Sequence, residues 1–224
     1  MDAIIQLDKE LLLYLNSFHS PLWDNFFWVF TSVSVWIPLY ASILWVVWKR
    51  LGLKGVWAVL AIVLTIVLCD QVSSSFFKPF FERFRPSWEP SLEGLVRLVN
   101  ERRGGRFGFV SSHATNSIGL ALFTSLLFRK AYFTIFIFIW AIINSYSRIY
   151  MGVHYPGDII GGVLLGAALG YGVYAVYGWF SRKVIFKKGE QKQTFGSEVW
   201  ISVLIGILSI TIIFISSRLL LKLM

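Results

Sequence analysis

The sequence has few charged residues and a single cysteine. Only 15% of its 224 residues are charged while 56% are hydrophobic, and the mean hydropathy is +0.67. That balance excludes an ordinary soluble domain and indicates a polytopic membrane protein. Because Cys69 is alone, the chain can form no intrachain disulfide and offers no cysteine-based zinc site. Its position in an apolar run predicts a buried thiol in a helix.

Two kinds of targeting or partner signal are also missing. The N-terminus carries Asp2, Asp8 and Glu10 and lacks a basic segment followed by a small-residue cleavage site, so we predict no removable signal peptide. The net charge of +9 does not indicate nucleic acid, since the bases lie in short clusters between apolar segments rather than on a basic helix or arm. We therefore expect no nucleic-acid partner.

Apolar segments fill most of the chain. A helix needs about 20 residues to cross the hydrocarbon of a bilayer, and six segments reach or approach this length. We predict an all-α membrane bundle that forms a single domain over residues 1–224. The predicted spans are 25–47, 56–77, 113–128, 131–150, 156–180 and 199–220.

The remaining segments have distinct characters. Residues 1–24 mix apolar and charged side chains, with Leu11 and Leu15 at helical spacing, and are predicted to form an interfacial helix. In the fifth span Gly162, Gly166 and Gly170 recur every four residues, which predicts a smooth ridge for close packing against another helix.

Basic connecting segments predict the orientation in the membrane. Three short connectors carry the bases Lys49, Arg50, Lys54, Arg129, Lys130, Arg182, Lys183, Lys187, Lys188 and Lys192. These connectors are expected to be cytoplasmic, which places both termini and the long 78–112 loop outside. The other side holds 11 of the 21 bases, so the count alone does not decide. The orientation rests on the acids, because only Glu190 and Glu198 lie on the proposed inner side.

Polar motifs interrupt the apolar pattern at three places. Lys78 and Arg85-Pro86 follow the second span, and alone they would suit a basic anchor to anionic headgroups. Ser111-Ser112-His113 opens the third span, where serine is a good helix cap. The stretch from Ser147 to Asp158, SRIYMGVHYPGD, joins the fourth and fifth spans.

With six spans, all three motifs lie at the same membrane face. The cations Lys78, Arg85 and Arg148 then meet two helix N-termini, a combination that suits a phosphate group. Two imidazoles, His113 and His154, add the means for phosphoryl transfer. Asp158, four residues after His154, is placed to accept a hydrogen bond from one imidazole nitrogen and leave the other free to attack. His19 lies apart, and no function is predicted for it.

The three motifs together resemble the type 2 phosphatidic acid phosphatase superfamily, whose signature reads KX6RP, PSGH and SRX5HX3D. The first and third parts fit residue for residue, from Lys78 to Pro86 and from Ser147 to Asp158. The second part departs twice, since Val110 replaces the proline and Ser112 replaces the glycine. Glycine there would permit unusual backbone angles and a close approach to phosphate.

This resemblance implies a mechanism. His154 would be the nucleophile that forms a phosphohistidine, Asp158 would orient it, and His113 would protonate the leaving oxygen and then activate water. The residues expected to hold the phosphate are Lys78, Arg85, Ser111, Ser112 and Arg148. No metal or other cofactor is expected, because fixed cations supply the stabilising charge.

The expected partner is a phosphorylated lipid of a bacterial inner membrane, met at the periplasmic or exterior face. Polyprenyl diphosphate, phosphatidylglycerol phosphate, phosphatidic acid and a lipid A phosphate are the candidates, with broad lipid phosphate or polyprenyl diphosphate hydrolysis favoured. The motifs bind only phosphate, so the specificity element is expected in the 79–112 loop, where EPSLEGLVRLVNERRGGR is predicted to form a short helix.

Other functions remain open at this point. A transporter or anionic-lipid binder would use the cations without hydrolysis, although binding alone requires no histidine nucleophile. A phosphotransferase would pass the phosphoryl group to an acceptor. The soluble vanadium haloperoxidases share the signature, but six apolar spans weigh against them. Asp70 and Gln71, inside the second span, are predicted to have a structural role through partners such as Asn144 or Ser147.

Overall fold

The computed structural model describes residues 2–185 and 194–223. The described chain is built from helices, and their bounds are α1 Asp2–Ser17, α2 Pro21–Phe30, α3 Ile37–Leu51, α4 Gly55–Gln71, α5 Lys78–Phe81, α6 Ser112–Phe128, α7 Ala131–Tyr150, α8 Pro156–Phe180 and α9 Trp200–Leu223. A wider helical turn, Val72–Phe77, joins α4 to α5, and the backbone angles at both of its ends are those of a right-handed helix. The predicted helical membrane bundle is confirmed.

Within the described residues, four helical stretches are long and apolar enough to cross a membrane. They are Val33–Phe81, Ala131–Tyr150, Pro156–Ile185 and Ser197–Lys222. The first has 49 residues and contains α3 and α4, which are joined by a tight turn at Gly52–Lys54. Helix α6 has 17 residues and is shorter than the roughly 20 that a full crossing needs. The count of six spans therefore stays a prediction.

The predicted span over 25–47 is wrong as a single helix. Helix α2 ends at Phe30, a short turn of 3₁₀ helix covers Val33–Trp36, and α3 begins at Ile37. Pro38 lies in the first turn of α3, where its missing N–H does no harm, although it would break a helix that ran through from α2. The indole Nε1 of Trp36 donates to the Phe30 carbonyl at 2.7 Å and so caps the open end of α2.

The segment between α5 and α6 is irregular, and the short helix predicted within it is also wrong. Only single turns of 3₁₀ helix form there, at Pro86–Trp88, Pro90–Leu92 and Val99–Glu101. Gly94 has a φ of +75°, and Asn100, inside the last of these turns, has a φ of +51°, so left-handed residues prevent a longer helix from forming. The segment is thus a folded loop over the end of the bundle.

The glycine ridge packs helices, as its spacing predicts. A Cβ on Gly166 would lie 2.4 Å from the Thr115 carbonyl oxygen, and one on Gly170 would lie 2.7 Å from that of Gly119. Helix α8 therefore lies against α6 at backbone contact. Cys69 is buried against the same seam, as expected, because a Cβ on Gly119 would lie 2.6 Å from its sulfur.

Helix α1 is tied to this end of the bundle by a buried amide. The Asn16 side chain donates to the carbonyl oxygens of Tyr150 at 2.8 Å and Arg97 at 3.2 Å, and it accepts from the Arg97 N–H at 2.9 Å. One side chain thus joins α1, the irregular loop and the end of α7. Of the basic residues in the predicted cytoplasmic connectors, Lys187, Lys188 and Lys192 lie outside the described residues.

Candidate active site

His154 and Asp158 form a buried pair at the junction of α7 and α8. Asp158 Oδ2 lies 3.1 Å from His154 Nδ1, and both side chains are at most 2% exposed. The other imidazole nitrogen, Nε2, lies 2.9 Å from Arg85 Nη1. Since a guanidinium can only donate, Nε2 accepts, and the single proton of a neutral imidazole is on Nδ1. Asp158 therefore fixes the tautomer that leaves the Nε2 lone pair pointing into the site.

Asp158 has a second partner that the motif spacing does not reveal. Arg83 Nη1 donates to Asp158 Oδ1 at 3.0 Å, and Arg83 Nη2 donates to Asp8 Oδ2 at 2.6 Å. The other oxygen of Asp8 accepts from the Gly157 N–H at 2.8 Å. Asp8 belongs to α1, so the N-terminal helix supports the first turn of α8 and, through Arg83, the Asp158 carboxylate.

Arg85 is held by backbone carbonyls rather than by an acid. Its Nε donates to Phe107 O at 3.1 Å and its Nη1 to Val153 O at 3.3 Å. Gly108 allows this packing, because a Cβ there would lie 2.9 Å from Asp158 Oδ2 and 3.1 Å from Arg85 Cγ. Only a glycine can pass so close to the pair.

Lys78 and Ser112 lie on the other side of the cluster. Lys78 Nζ donates to Ser112 Oγ at 2.6 Å, and Ser74 Oγ lies 3.0 Å from the same hydroxyl. The serine that replaces the family's glycine thus has a defined contact with the first motif.

Ser111 has a structural position. Its hydroxyl is the N-cap of α6 and accepts from the Ala114 N–H at 3.5 Å, while its own N–H donates to Asp158 O at 3.0 Å. Ser111 is fully buried and joins the start of α6 to the start of α8. Contact between the Ser111 side chain and phosphate stays a prediction.

Arg148 is the most unusual cation in the cluster. It is 4% exposed, and its Nη1 donates to the Met151 sulfur, a weak acceptor, at 3.9 Å. Among the residues that the structure describes, it pairs with no carboxylate, and its Nε has no hydrogen-bond partner. A buried charge without a counter-ion costs several kcal/mol. An anion that enters the site would remove this cost.

His113 completes the set from the first turn of α6. Arg148, His154 and Arg85 all lie close enough to interact with it electrostatically. Its ring forms no hydrogen bond within the described parts of the chain, so its nitrogens are available to a ligand.

The charges around His154 act on its protonation. Burial, followed by the positive charge of Arg85, lowers the pKa of His154 well below its usual 6.5. The cause is that a second positive charge among these cations would be strongly disfavoured. His154 is therefore neutral at physiological pH, and the lone pair of its Nε2 is unprotonated.

Asp70 has a different partner from the predicted ones. Asn116 Nδ2 on α6 donates to its Oδ1 at 3.4 Å, whereas Asn144 donates to Ser117 and Ser147 donates back to the Asn144 carbonyl. Asp70 meets Asn116 rather than Asn144 or Ser147 because α4 packs against α6 and α8 and not against α7.

The donor set has a clear chemical character. The three cations Lys78, Arg85 and Arg148 lie close enough to both imidazoles to interact with them electrostatically, and the Asp158 carboxylate is hydrogen-bonded to His154 and Arg83. Residues 2–185 and 194–223 contain no group of three or more acidic, histidine or cysteine side chains able to hold a metal ion. Such an arrangement in a helical membrane bundle is typical of a membrane protein that acts on phosphate esters.

Comparison with known proteins gives the family. A model of the PAP2 superfamily matches residues 54–182. A lipid A 4'-phosphatase from Bacteroides thetaiotaomicron is 46% identical over 179 residues, which cover 79% of this chain and 78% of that protein. An undecaprenyl-diphosphatase from Sulfolobus acidocaldarius is 33% identical over 142 residues, 61% of each chain.

A solved structure shares the fold. The transmembrane PAP2 type phosphatidylglycerolphosphate phosphatase from Bacillus subtilis superposes with a TM-score of 0.63 at 20% identity, over 85% of this chain and 90% of that one. The chain therefore belongs to the PAP2 superfamily, as the three motifs indicate, and it is a membrane lipid phosphatase.

Proposed function

We propose that this phosphatase removes a phosphate from a membrane lipid through a phosphohistidine on His154, without a metal ion, at the extracytoplasmic face. The proposal rests on the protonation and surroundings of the His154 imidazole. A buried imidazole with an unprotonated Nε2 lies beside Arg85 and near Arg148, a buried cation that has no carboxylate partner within the described chain.

In the first step, substrate phosphate takes the place of Nε2 as the acceptor for Arg85. Nε2 then forms a bond to phosphorus as the ester P–O bond breaks, and the electron pair leaves with the lipid oxygen. His113, which takes up a proton when the phosphate anion enters among the cations, gives that proton to the leaving oxygen. Asp158, hydrogen-bonded to Nδ1 at 3.1 Å, stabilises the positive charge that develops on the ring of His154.

In the second step, water attacks the phosphohistidine. His113, now neutral, accepts the proton of the water, the P–N bond breaks, and inorganic phosphate leaves. Lys78, Arg85 and Arg148 offset the charge on the non-bridging oxygens in both steps, which is the role that metal ions have in other phosphoryl-transfer sites.

The basic connectors support an extracytoplasmic site. The site lies at the end of the bundle where α8 begins, while Arg182 and Lys183 follow the other end of the same helix. Lys49, Arg50 and Arg129 lie at that second end as well. The number of bases does not distinguish the two ends, but the second end carries few acids beside its bases, which supports a cytoplasmic position for it and the opposite compartment for the site.

A lipid A phosphate is the substrate that the comparisons favour. The relative at 46% identity bears the name of a lipid A 4'-phosphatase. Phe76, Phe80 and Phe81, at least half exposed, lie on either side of Lys78 in sequence and provide an apolar surface for acyl chains next to the phosphate. A polyprenyl diphosphate is the second candidate, because the relative at 33% identity is named for that activity.

Phosphate release from a lipid panel tests the proposal. The purified protein is given lipid A 4'-phosphate, undecaprenyl diphosphate, phosphatidic acid and phosphatidylglycerol phosphate, each with and without EDTA. We expect the highest kcat/KM with lipid A phosphate and no effect of EDTA. A rapid quench with lipid labelled in the phosphate should trap an acid-labile, base-stable phosphoprotein, as expected for phosphohistidine.

Each alternative has its own result. Strict sensitivity to EDTA would overturn the metal-free mechanism. Tight headgroup binding without phosphate release would indicate a binder or transporter. Label that moves to an added alcohol or lipid in preference to water would indicate a phosphotransferase.

A further inference from the structure

The cations at the site end of the molecule fall into two groups. Three of them pair with carboxylates. Lys9 pairs with Glu89 and Arg97 with Asp24. Arg83 pairs with both Asp8 and Asp158. The others form no ion pair within the described chain, and they are Lys78, Arg85, Arg102, Arg103, Arg106 and Arg148. Three of these six belong to the phosphate site described above. The other three, on the 102–106 loop, have no role in it.

Aromatic rings hold the three loop arginines in place. The guanidinium carbon of Arg102 lies 5.5 Å from the ring centre of Trp28, and that of Arg103 lies 5.5 Å from Trp88. Arg106 lies 4.9 Å from Phe84. A guanidinium over a ring is positioned while its N–H donors stay free. All three side chains are exposed, so these donors face the space outside the bundle.

The same loop lies directly against the phosphate site. The carbonyl of Arg106 accepts from the Arg85 N–H at 3.0 Å, and a Cβ on Gly104 would lie 3.2 Å from Arg85 Nη1. The charge of Arg102 acts on both Arg85 and Arg148. The positive charges of the three loop arginines repel one another and those of Arg85 and Arg148. The adjacent Glu101 forms no ion pair with any of them in the described structure. The loop is therefore preorganised for an anion that the protein itself does not supply.

We propose that Arg102, Arg103 and Arg106 form a second anion site, which binds an additional acidic group on the headgroup of the lipid whose phosphate is hydrolysed at His154. The inference rests on the proposed function for the identity of the ligand. The two sites differ in exposure, since Arg85 and Arg148 are buried whereas the loop arginines are exposed. The second group is held at the rim and is not hydrolysed. It makes the enzyme selective for headgroups with two separated anionic groups.

Two synthetic acylated disaccharide lipids test this inference. One carries a single phosphate on the sugar to be dephosphorylated, and the other carries a further phosphate on the second sugar. The variant is Arg102→Gln/Arg103→Gln/Arg106→Gln. We expect its KM for the two-phosphate lipid to rise about tenfold, since each exposed charge contact contributes roughly a factor of two. Its kcat for that lipid, and both constants for the one-phosphate lipid, should change less than about twofold.

The matched control is Lys49→Gln/Arg182→Gln/Lys183→Gln. It removes three positive charges from the other end of the bundle, where Lys49 lies 4.7 Å from the ring of Trp45 and Lys183 lies 5.1 Å from that of Trp179. This control should leave both substrates unaffected. Equal losses on the two lipids, or a loss that the control reproduces, would overturn the second site and indicate general attraction to anionic membranes.

A binding measurement tests the second anion site independently of phosphate release. Non-hydrolysable phosphonate analogues of both lipids are titrated against the wild-type and loop variants in neutral detergent. A preference of the wild type for the doubly charged analogue, lost in the variant, supports the second site whether or not phosphate is released. If the wild type binds both analogues equally, the second site is wrong even though the enzyme hydrolyses lipid phosphate.

Discussion

The two ends of the helix bundle both carry many cations, yet these cations have different surroundings. At one end Arg85 and Arg148 are 9% and 4% exposed, lie close enough to repel each other, and form no ion pair within the described residues. At the other end Lys49, Arg129 and Lys183 are exposed to solvent. The number of charges at one end of the bundle therefore does not locate a phosphate site. A buried charge without a nearby acid does locate one, because its burial costs free energy that the binding of an anionic ligand offsets.

His154, the proposed nucleophile, gives the largest test of this difference between the two ends. His154→Gln should lower phosphate release by at least about 10⁴-fold, since no other group is placed to form the covalent intermediate. Lys183→Gln at the other end should leave turnover unchanged. Measured turnover of purified His154→Gln close to that of the wild type would refute the assignment.

Arg148 offers the next largest effect. Arg148→Gln should reduce kcat by about 10²–10³-fold, the usual cost of removing one preorganised group that stabilises charge in the transition state. The loss of an uncompensated buried charge should at the same time leave the thermal unfolding temperature unchanged or higher. Arg129→Gln is the control, and equal activity of the two variants would contradict the distinction between the ends.

Helix packing at the site end is expected to matter for stability. Gly166→Ala should destabilise the protein by about 1–3 kcal/mol, because its Cβ would press on the Thr115 backbone. It should also lower activity, since α6 and α8 carry His113 and Asp158. Gly172→Ala on the same helix meets no atom within 4 Å and should have neither effect. Thermal unfolding in detergent and kcat measured on both variants would show whether the site depends on this seam.

Arg83 should have the smallest effect, as a positioning residue for Asp158. Arg83→Gln should lower kcat about tenfold with little change in KM, and Arg83→Lys should recover part of the loss. The charge of Arg83 also helps to lower the pKa of His154. Removing it should therefore raise that pKa and move the acid limb of the kcat profile to higher pH. Reduced activity with an unchanged pH profile would indicate a purely structural role.

Much of the architecture could be predicted from the sequence because some boundaries are chemically sharp. Helix α8 runs over Pro156–Phe180, as predicted, since proline favours the first turn of a helix and a long apolar run follows. The first span was mispredicted because the apolar run continues through residues 31–36 while the backbone turns. Hydropathy does not detect a break whose cause is one proline and a few short polar side chains.

The site was predictable only as far as its motif spacing. Arg83 lies among the six unspecified residues between Lys78 and Arg85, and Asp8 lies 75 positions earlier in the chain. One signal for Arg83 was present, since alternate residues of an extended segment point to opposite faces and Arg83 and Arg85 therefore share one. Nothing local in the sequence pairs Asp8 with it, because that contact depends on where α1 docks.

The position of Asp8 affects where the smallest working unit of this enzyme begins. The family match starts at residue 54, but a carboxylate at residue 8 bonds Gly157 N–H and Arg83, and Asn16 bonds the loop and the end of α7. A shortened chain that starts at residue 54 would keep every motif residue and lose both supports. Helix α1 thus supports the candidate active site from outside the segment that the family match covers.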